Sequence, residues 1–219
     1  MIQRRFEEDP SRDSELYHEL PWFRPDPNIA ELCEIADEYL TSRHLDLHRP
    51  PRDFDTQGPL RFTGSDHVYY SRTDQNNRQH VWNSVFLSDL PEDFSDLPIV
   101  EDLWQMFREC GDLCADRDYL YRNLFIYDIW NELPQHIDDH SRSAGFNLPL
   151  RGVQAPVEWA TPDYVIFRSH TYVCATMINT SIIHGSTQST GSRMFLSLTG
   201  FTQPFKQITE NISIPEKFL

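Results

Sequence analysis

Long apolar runs, basic side chains, cysteine and glycine are all in short supply in this chain. No run approaches the roughly 18 consecutive apolar residues that a membrane-spanning helix needs, so no membrane partner is expected. The first thirty residues are polar and broken by proline, without an apolar h-region, so no secretory signal is expected. Lysine and arginine number 19 against 34 acids, a formal net charge of −15. Nonspecific affinity for nucleic acid comes from Lys and Arg on phosphates, and no basic stripe interrupts the acidic surface, so nucleic acid is disfavoured as a partner. The charge reads first as a solubility device. The four cysteines (Cys33, Cys110, Cys114 and Cys174) form neither a disulfide framework nor paired C-x-x-C motifs, and Cys110 with Cys114 suits a helical turn better than a zinc site. A soluble, cytoplasmic protein is the expectation, and the N-x-[S/T] matches at Asn179 and Asn211 are then coincidental.

What is present is core material. Hydrophobic residues make up 39% and aromatics 13% of 219 residues, ample for a packed interior and too much for a disordered chain. The length suits one structural domain with an arm. Three stretches are expected: a polar N-terminal arm over 1–27, a mixed helical layer with lid loops over 28–118, and a β-rich core over 119–219. Within the middle stretch, Asp26-Pro27-Asn28 opens a helical pattern carrying Ile29, Leu32, Cys33, Ala36 and Leu40 on one face. HVYYS (67–71) and HVWNSVFL (80–87) read as strands, and 99–114 as a second helix with Val100, Leu103, Trp104 and Phe107 in a stripe. From Tyr119 onward short β-rich runs follow one another without a helical period, including YRNLFIYDIW, AGFNLPLRG, VEWA, DYVIFRS, TYVCATMI, SIIHGS and SRMFLSLTGF. Closely spaced strands point to a sandwich or small barrel rather than βαβ units. The fold class expected is mainly β with N-terminal helices.

One constellation carries chemistry. His136 and Asp138 follow the strand YRNLFIYDIW, and alternate residues of an extended chain project from one face, so both side chains can point at one atom. His184 closes SIIHGS, and Arg193 opens the last strand nine residues later. Two histidines and a carboxylate on one face of a metal leave positions open, the donor set of non-haem Fe(II) oxygenases, and a nearby guanidinium suits a distal carboxylate. H-x-D by itself is weak. A second match, His44-Leu45-Asp46, stands in a polar, proline-flanked stretch after a helix, where no strand presents it. His136 and His140, four apart, would serve zinc only on a helix, which Pro134 opposes. The strength lies in the combination: strand, H-x-D, a series of strands, a distal His, then an Arg.

That combination resembles the Fe(II)- and 2-oxoglutarate-dependent dioxygenases with the double-stranded β-helix (jelly-roll or cupin-like) fold. HID (136–138), GFNLPLRG (145–152) and IIHGSTQSTGSRMFLSL (182–198) carry the resemblance, which covers roughly 119–205. It implies that His136, Asp138 and His184 hold Fe(II), that Arg193 binds the distal carboxylate of 2-oxoglutarate, and that O₂ is the oxidant. It further implies hydroxylation of a small molecule or an amino-acid or peptidyl side chain, with release of succinate and CO₂. Asp138, where a halogenase would lack a carboxylate, favours hydroxylation. Many members carry a hydroxyl two residues after the Arg, but Phe195 stands there. The second co-substrate contact is therefore sought among Tyr121, Asn123, Tyr127 and Asn147, by strand proximity. Two other readings stay open: a non-catalytic β-sandwich binding module, and a cupin-type metalloenzyme that does not use 2-oxoglutarate. The arm and the loops at 49–80, rich in Arg and aromatic residues, are placed as a lid over the site.

Overall fold

The computed structural model describes residues 5–6, 13–23, 29–44, 67–71, 80–111, 116–129, 133–138, 142–152, 155–160, 165–168, 174–186 and 193–219. The N-terminal half contributes β1 (Arg5–Phe6), α1 (Asp13–Leu16), β2 (Tyr17–Leu20), α2 (Ile29–His44), β3 (His67–Ser71), β4 (His80–Phe86) and α3 (Pro98–Phe107). The remainder is α4 (Arg117–Asn123), β5 (Leu124–Ile129), β6 (Leu133–His136), β7 (Ala144–Arg151), β8 (Val157–Ala160), β9 (Val165–Arg168), β10 (Ala175–Asn179), β11 (His184–Ser186), β12 (Arg193–Phe201) and α5 (Phe205–Asn211). The chain is mainly β. One sheet runs β1-β9-β8-β11-β6 and the other β2-β10-β7-β12-β5-β4-β3, with antiparallel pairing throughout except for the short β1–β9 contact. Among the described residues no helix is long and apolar enough to cross a membrane.

The strands of the larger sheet sort their side chains by the period-two rule. Leu124 and Ile126 of β5, Phe146 and Leu148 of β7, Met177 of β10, and Met194, Leu196 and Leu198 of β12 point one way, into the main apolar core. There they meet the buried stripe of α3 (Val100, Leu103, Met106, Phe107), Leu120 of α4, and Phe205 and Ile208 of α5. Phe146 is fully buried and meets Phe23 and Phe107 edge-on, with ring centroids 6.0 and 5.4 Å away. The alternate residues of the same strands point the other way, toward the smaller sheet. A second apolar cluster joins the two sheets there: Ile129, Ile178 and Phe195 from one, Val157 and Trp159 from the other, with Leu16 at the edge. Trp159 stacks on Tyr17 at 5.8 Å and donates its indole N–H to the Asn179 carbonyl.

The helices and strands depart from the sequence expectations at four places. α3 starts with Pro98 in its first turn, where the missing N–H costs nothing, and stops at Phe107. Gly111, with φ at 121°, lies just beyond, so Cys110 stands in a turn and not on the expected helix to 114; Cys114 lies outside the described residues. The segment 121–123, expected as strand, is the last turn of α4, which Asp116 caps by accepting from the Tyr119 N–H at 2.8 Å. α5 adds a helix after the last strand, where none was expected. Finally, the expected arm is woven in, with β2 forming the edge of the larger sheet on β10; β3 and β4, strands as expected, extend that same sheet beyond β5. The loops at 49–66 and 72–79, expected to act as a lid, lie outside the described residues, as do Leu45 and Asp46 of the second H-x-D match and His140 of the zinc alternative.

Candidate metal centre

β6 and β11 are neighbours in the smaller sheet, with His136 opposite His184. This antiparallel register brings two imidazoles, far apart in sequence, to a ring-centroid separation of 4.4 Å. β6 ends at His136, and the chain stays extended long enough to carry Asp138 to the same side, while Ile137 between them turns out to solvent. Asp138 is held by its backbone, whose N–H donates to the Thr180 carbonyl at 3.2 Å. The result is one nitrogen from His136, one from His184 and one oxygen from Asp138, all within 4.8 Å of one another. His136 Nε2 and Asp138 Oδ1 are 3.5 Å apart.

The electrostatics suit a metal more than a proton. His184 is 3% exposed, and burial pushes its imidazole pKa down to about 3, with the adjacent His136 acting in the same direction and the Ile182 carbonyl opposing. That carbonyl lies 2.9 Å from Nδ1. A carbonyl only accepts, so Nδ1 carries the proton and Nε2 keeps its lone pair for a ligand. Two imidazoles and a carboxylate are a donor set for Fe(II) and its first-row neighbours.

These three groups line one wall of a cleft enclosing about 760 Å³, its open mouth included. The opposite wall is the second face of the larger sheet: Phe125, Tyr127 and Ile129 of β5, Gly145 and Asn147 of β7, and Arg193, Phe195, Ser197 and Thr199 of β12. Arg193 is 1% exposed, and its Nη2 donates to the Ser186 hydroxyl. Ser197 donates to Asn147 Oδ1 at 2.7 Å.

Of the residues singled out in the sequence, His136, Asp138, His184, Arg193, Asn147 and Tyr127 all border this cleft. Tyr121 and Asn123 do not, and this corrects their expected placement. Both lie on α4, not on a strand. The Tyr121 hydroxyl donates toward the Leu87 carbonyl and Asp93 and accepts from the Phe94 N–H, while Asn123 donates to the Tyr119 carbonyl one turn back. Sequence reasoning missed Ser186. Its hydroxyl, two residues after the distal histidine and not two after the arginine, is the one that meets the guanidinium. Arg142 and Gly145 were missed as well, since nothing in their local sequence places them on the cleft.

No family model matches the sequence, and no curated protein does. Among solved structures, the fold is similar to a prolyl-4-hydroxylase from Pseudomonas putida (12% identity, 89% of this chain and 96% of that one, TM-score 0.39). It is similar also to EvdMO1 (14% identity, 86% and 48%, TM-score 0.46). A third is the non-heme alpha-ketoglutarate-dependent epimerase SnoN from nogalamycin biosynthesis (11% identity, 86% and 77%, TM-score 0.39). Likenesses this distant do not establish a family, so the chemistry has to be read from the side chains themselves.

Proposed function

We propose that this chain is an Fe(II)- and 2-oxoglutarate-dependent oxygenase built on a double-stranded β-helix, hydroxylating a small molecule or an amino-acid or peptidyl side chain. The observation that carries the reading is the convergence of His136, Asp138 and His184 on a cleft whose wall also holds the buried cation Arg193. The spacing supports the co-substrate. Ser186, which meets the guanidinium, is two residues along β11 from His184, a rise of about 7 Å. That is the scale of a five-carbon diacid held by its 2-oxo end at the metal donors and by its far carboxylate on Arg193. A guanidinium fork suits that carboxylate through paired, charge-assisted hydrogen bonds.

Iron bound there would supply the activation of O₂ that couples conversion of 2-oxoglutarate to succinate and CO₂ with insertion of one oxygen atom into a substrate C–H bond. The protein's own part is positional. The Ile182 carbonyl fixes the His184 ring, and Thr180 fixes the backbone of Asp138. Phe125, Val157, Ile178 and Phe195 make the walls apolar and keep bulk water from the reacting centre. Asn147, its amide oxygen engaged by Ser197, presents its amide nitrogen as a donor for a bound oxo acid. A small-molecule or peptidyl substrate suits the same cleft, and the acidic surface disfavours a nucleic acid partner.

Anaerobic titration tests this reading. Purified protein given Fe(II) and 2-oxoglutarate is expected to develop a weak visible charge-transfer band, and on admission of air to release succinate. A wild-type protein showing neither, or a His136→Ala protein that kept the band, would overturn it.

A further inference from the structure

The three donors of the candidate metal centre are held in different ways. His136 and His184 stand on β6 and β11, whose antiparallel register sets one opposite the other. Asp138 comes two residues after the end of β6 and so stands outside the paired strands. Its backbone N–H donates instead to the Thr180 carbonyl at 3.2 Å. Thr180 directly follows β10, is 3% exposed and is tied down at both its backbone and its side chain. Its N–H donates to the Ser143 carbonyl at 3.1 Å, and its hydroxyl donates to the Arg142 carbonyl at 2.6 Å. Ser143 in turn donates its N–H and its hydroxyl to the Phe201 carbonyl at the end of β12, both at 2.7 Å. The flanking residues are fixed as well. The Asn179 amide donates to the Glu15 carbonyl and accepts from the Ser181 N–H and hydroxyl, and the Asn179 carbonyl accepts from the Trp159 indole. Two residues beyond Thr180, the Ile182 carbonyl accepts from His184 Nδ1.

The turn from Asn179 to His184 therefore reaches two of the three donors, and is itself anchored to α1, to β8 and, through Ser143, to β12. We propose that Thr180 is a positioning residue for the metal, and that its hydroxyl, bonded to the Arg142 carbonyl, fixes the place at which Asp138 presents its carboxylate. A donor arranged before the ion arrives has less freedom to lose on binding, so partners that orient a ligand raise its affinity for metal. Threonine suits the task because its branched side chain is stiff about χ1, so a bond from the hydroxyl also constrains the backbone whose carbonyl Asp138 uses. Valine has the same shape and no donor. In its place the Arg142 carbonyl would lose this bond, and the tether between residues 142–143 and the turn would rest on the Thr180 N–H alone. Serine would keep the donor. The inference rests on the metal part of the oxygenase reading and is independent of the co-substrate.

The test follows binding of Mn(II) alone to the full chain, through loss of the free-ion EPR signal, with neither co-substrate nor turnover. Thr180→Val is expected to weaken Mn(II) about tenfold, and Thr180→Ser to stay within about threefold of the wild type. Phe146→Ala, destabilised on the core face of the larger sheet, is expected to keep wild-type affinity in its folded fraction, which separates positioning from a general loss of stability. A Thr180→Val protein that binds Mn(II) as the wild type does, a serine variant no better than the valine one, or an equal loss in Phe146→Ala overturns the proposal. Should Thr180→Val fail to fold, hydrogen exchange on the metal-free wild type decides. The Asp138 amide is expected to be protected, and exchange at the rate of an exposed amide overturns its bond to Thr180 and the proposal with it. Mn(II) binding that follows these expectations without any binding of 2-oxoglutarate would instead sink the co-substrate part of the oxygenase reading and leave Thr180 in its role.

Discussion

The two faces of the seven-stranded sheet are made by the same strands and do opposite things. On β12, Met194, Leu196 and Leu198 enter the helix-packed core, and Arg193, Phe195, Ser197 and Thr199, one step out of phase, border the cleft. β5 and β7 divide in the same way, with Ile126 against Tyr127 and Phe146 against Asn147. The core face is apolar and closely packed, so its contribution is stability through area removed from water. The cleft face keeps a buried cation and several hydroxyl and amide groups, which cost stability unless hydrogen-bonded, and that marks it as the face shaped for a ligand. A strand thus separates stability from chemistry residue by residue.

The comparison breaks most sharply at the metal donors. Replacing His136, Asp138 or His184 by Ala should abolish the Fe(II)–2-oxoglutarate band outright, with thermal unfolding of the metal-free protein scarcely moved. On the other face, Phe146→Ala should cost about 3–5 kcal/mol of stability in urea unfolding and leave 2-oxoglutarate affinity of the folded fraction unchanged. Any mutant of the core face that altered co-substrate affinity directly would show that the faces are coupled. Arg193→Lys keeps the charge but loses the planar fork. It should weaken 2-oxoglutarate by about 1.5–3 kcal/mol, roughly 10-fold to 150-fold in Kd by calorimetry. Tyr121→Phe should cost about 1 kcal/mol of stability and nothing in co-substrate binding, as befits a hydroxyl bonded into the scaffold behind the sheet.

The smallest effect concerns pH. The Cys110 thiol is buried and bonded to the Ile208 carbonyl, and burial pushes its pKa up to about 12, from 9.0 when unfolded. The folded state therefore holds its proton where the unfolded chain releases it. The associated stability is complete below pH 9.0 and is lost as pH rises toward about 12. Cys110→Ala should flatten that part of the alkaline unfolding profile, and in the native wild type Cys110 should resist iodoacetamide while the half-buried Cys33 reacts.

Much of this was legible beforehand. The alternation in SRMFLSLTGF and the helical stripe at 29–44 are local patterns, and local patterns survive being read one residue at a time. The misplacement of Tyr121 and Asn123 shows the limit. Their stretch reads as strand by composition, but Asp116 caps a helix that runs through them, and the choice is made by how α4 packs on α3 and the sheet. Ser186 was invisible for a related reason. Its meeting with Arg193 joins β11 of one sheet to β12 of the other, and only the register of both strands sets which hydroxyl arrives at the guanidinium.

The sequence alone therefore determined the residue types and their phase: two imidazoles, a carboxylate and an arginine on strands that alternate apolar and polar. Periodicity is a property of the backbone, so it needs no knowledge of neighbours. Only the tertiary structure decided that His136 lies opposite His184, that Thr180 holds both Asp138 and Arg142, and that Gly145 sits between Ile178 and Thr199 on the cleft face. Those are contacts between segments distant along the chain. They are set by strand register and packing, and no single stretch of sequence contains both partners.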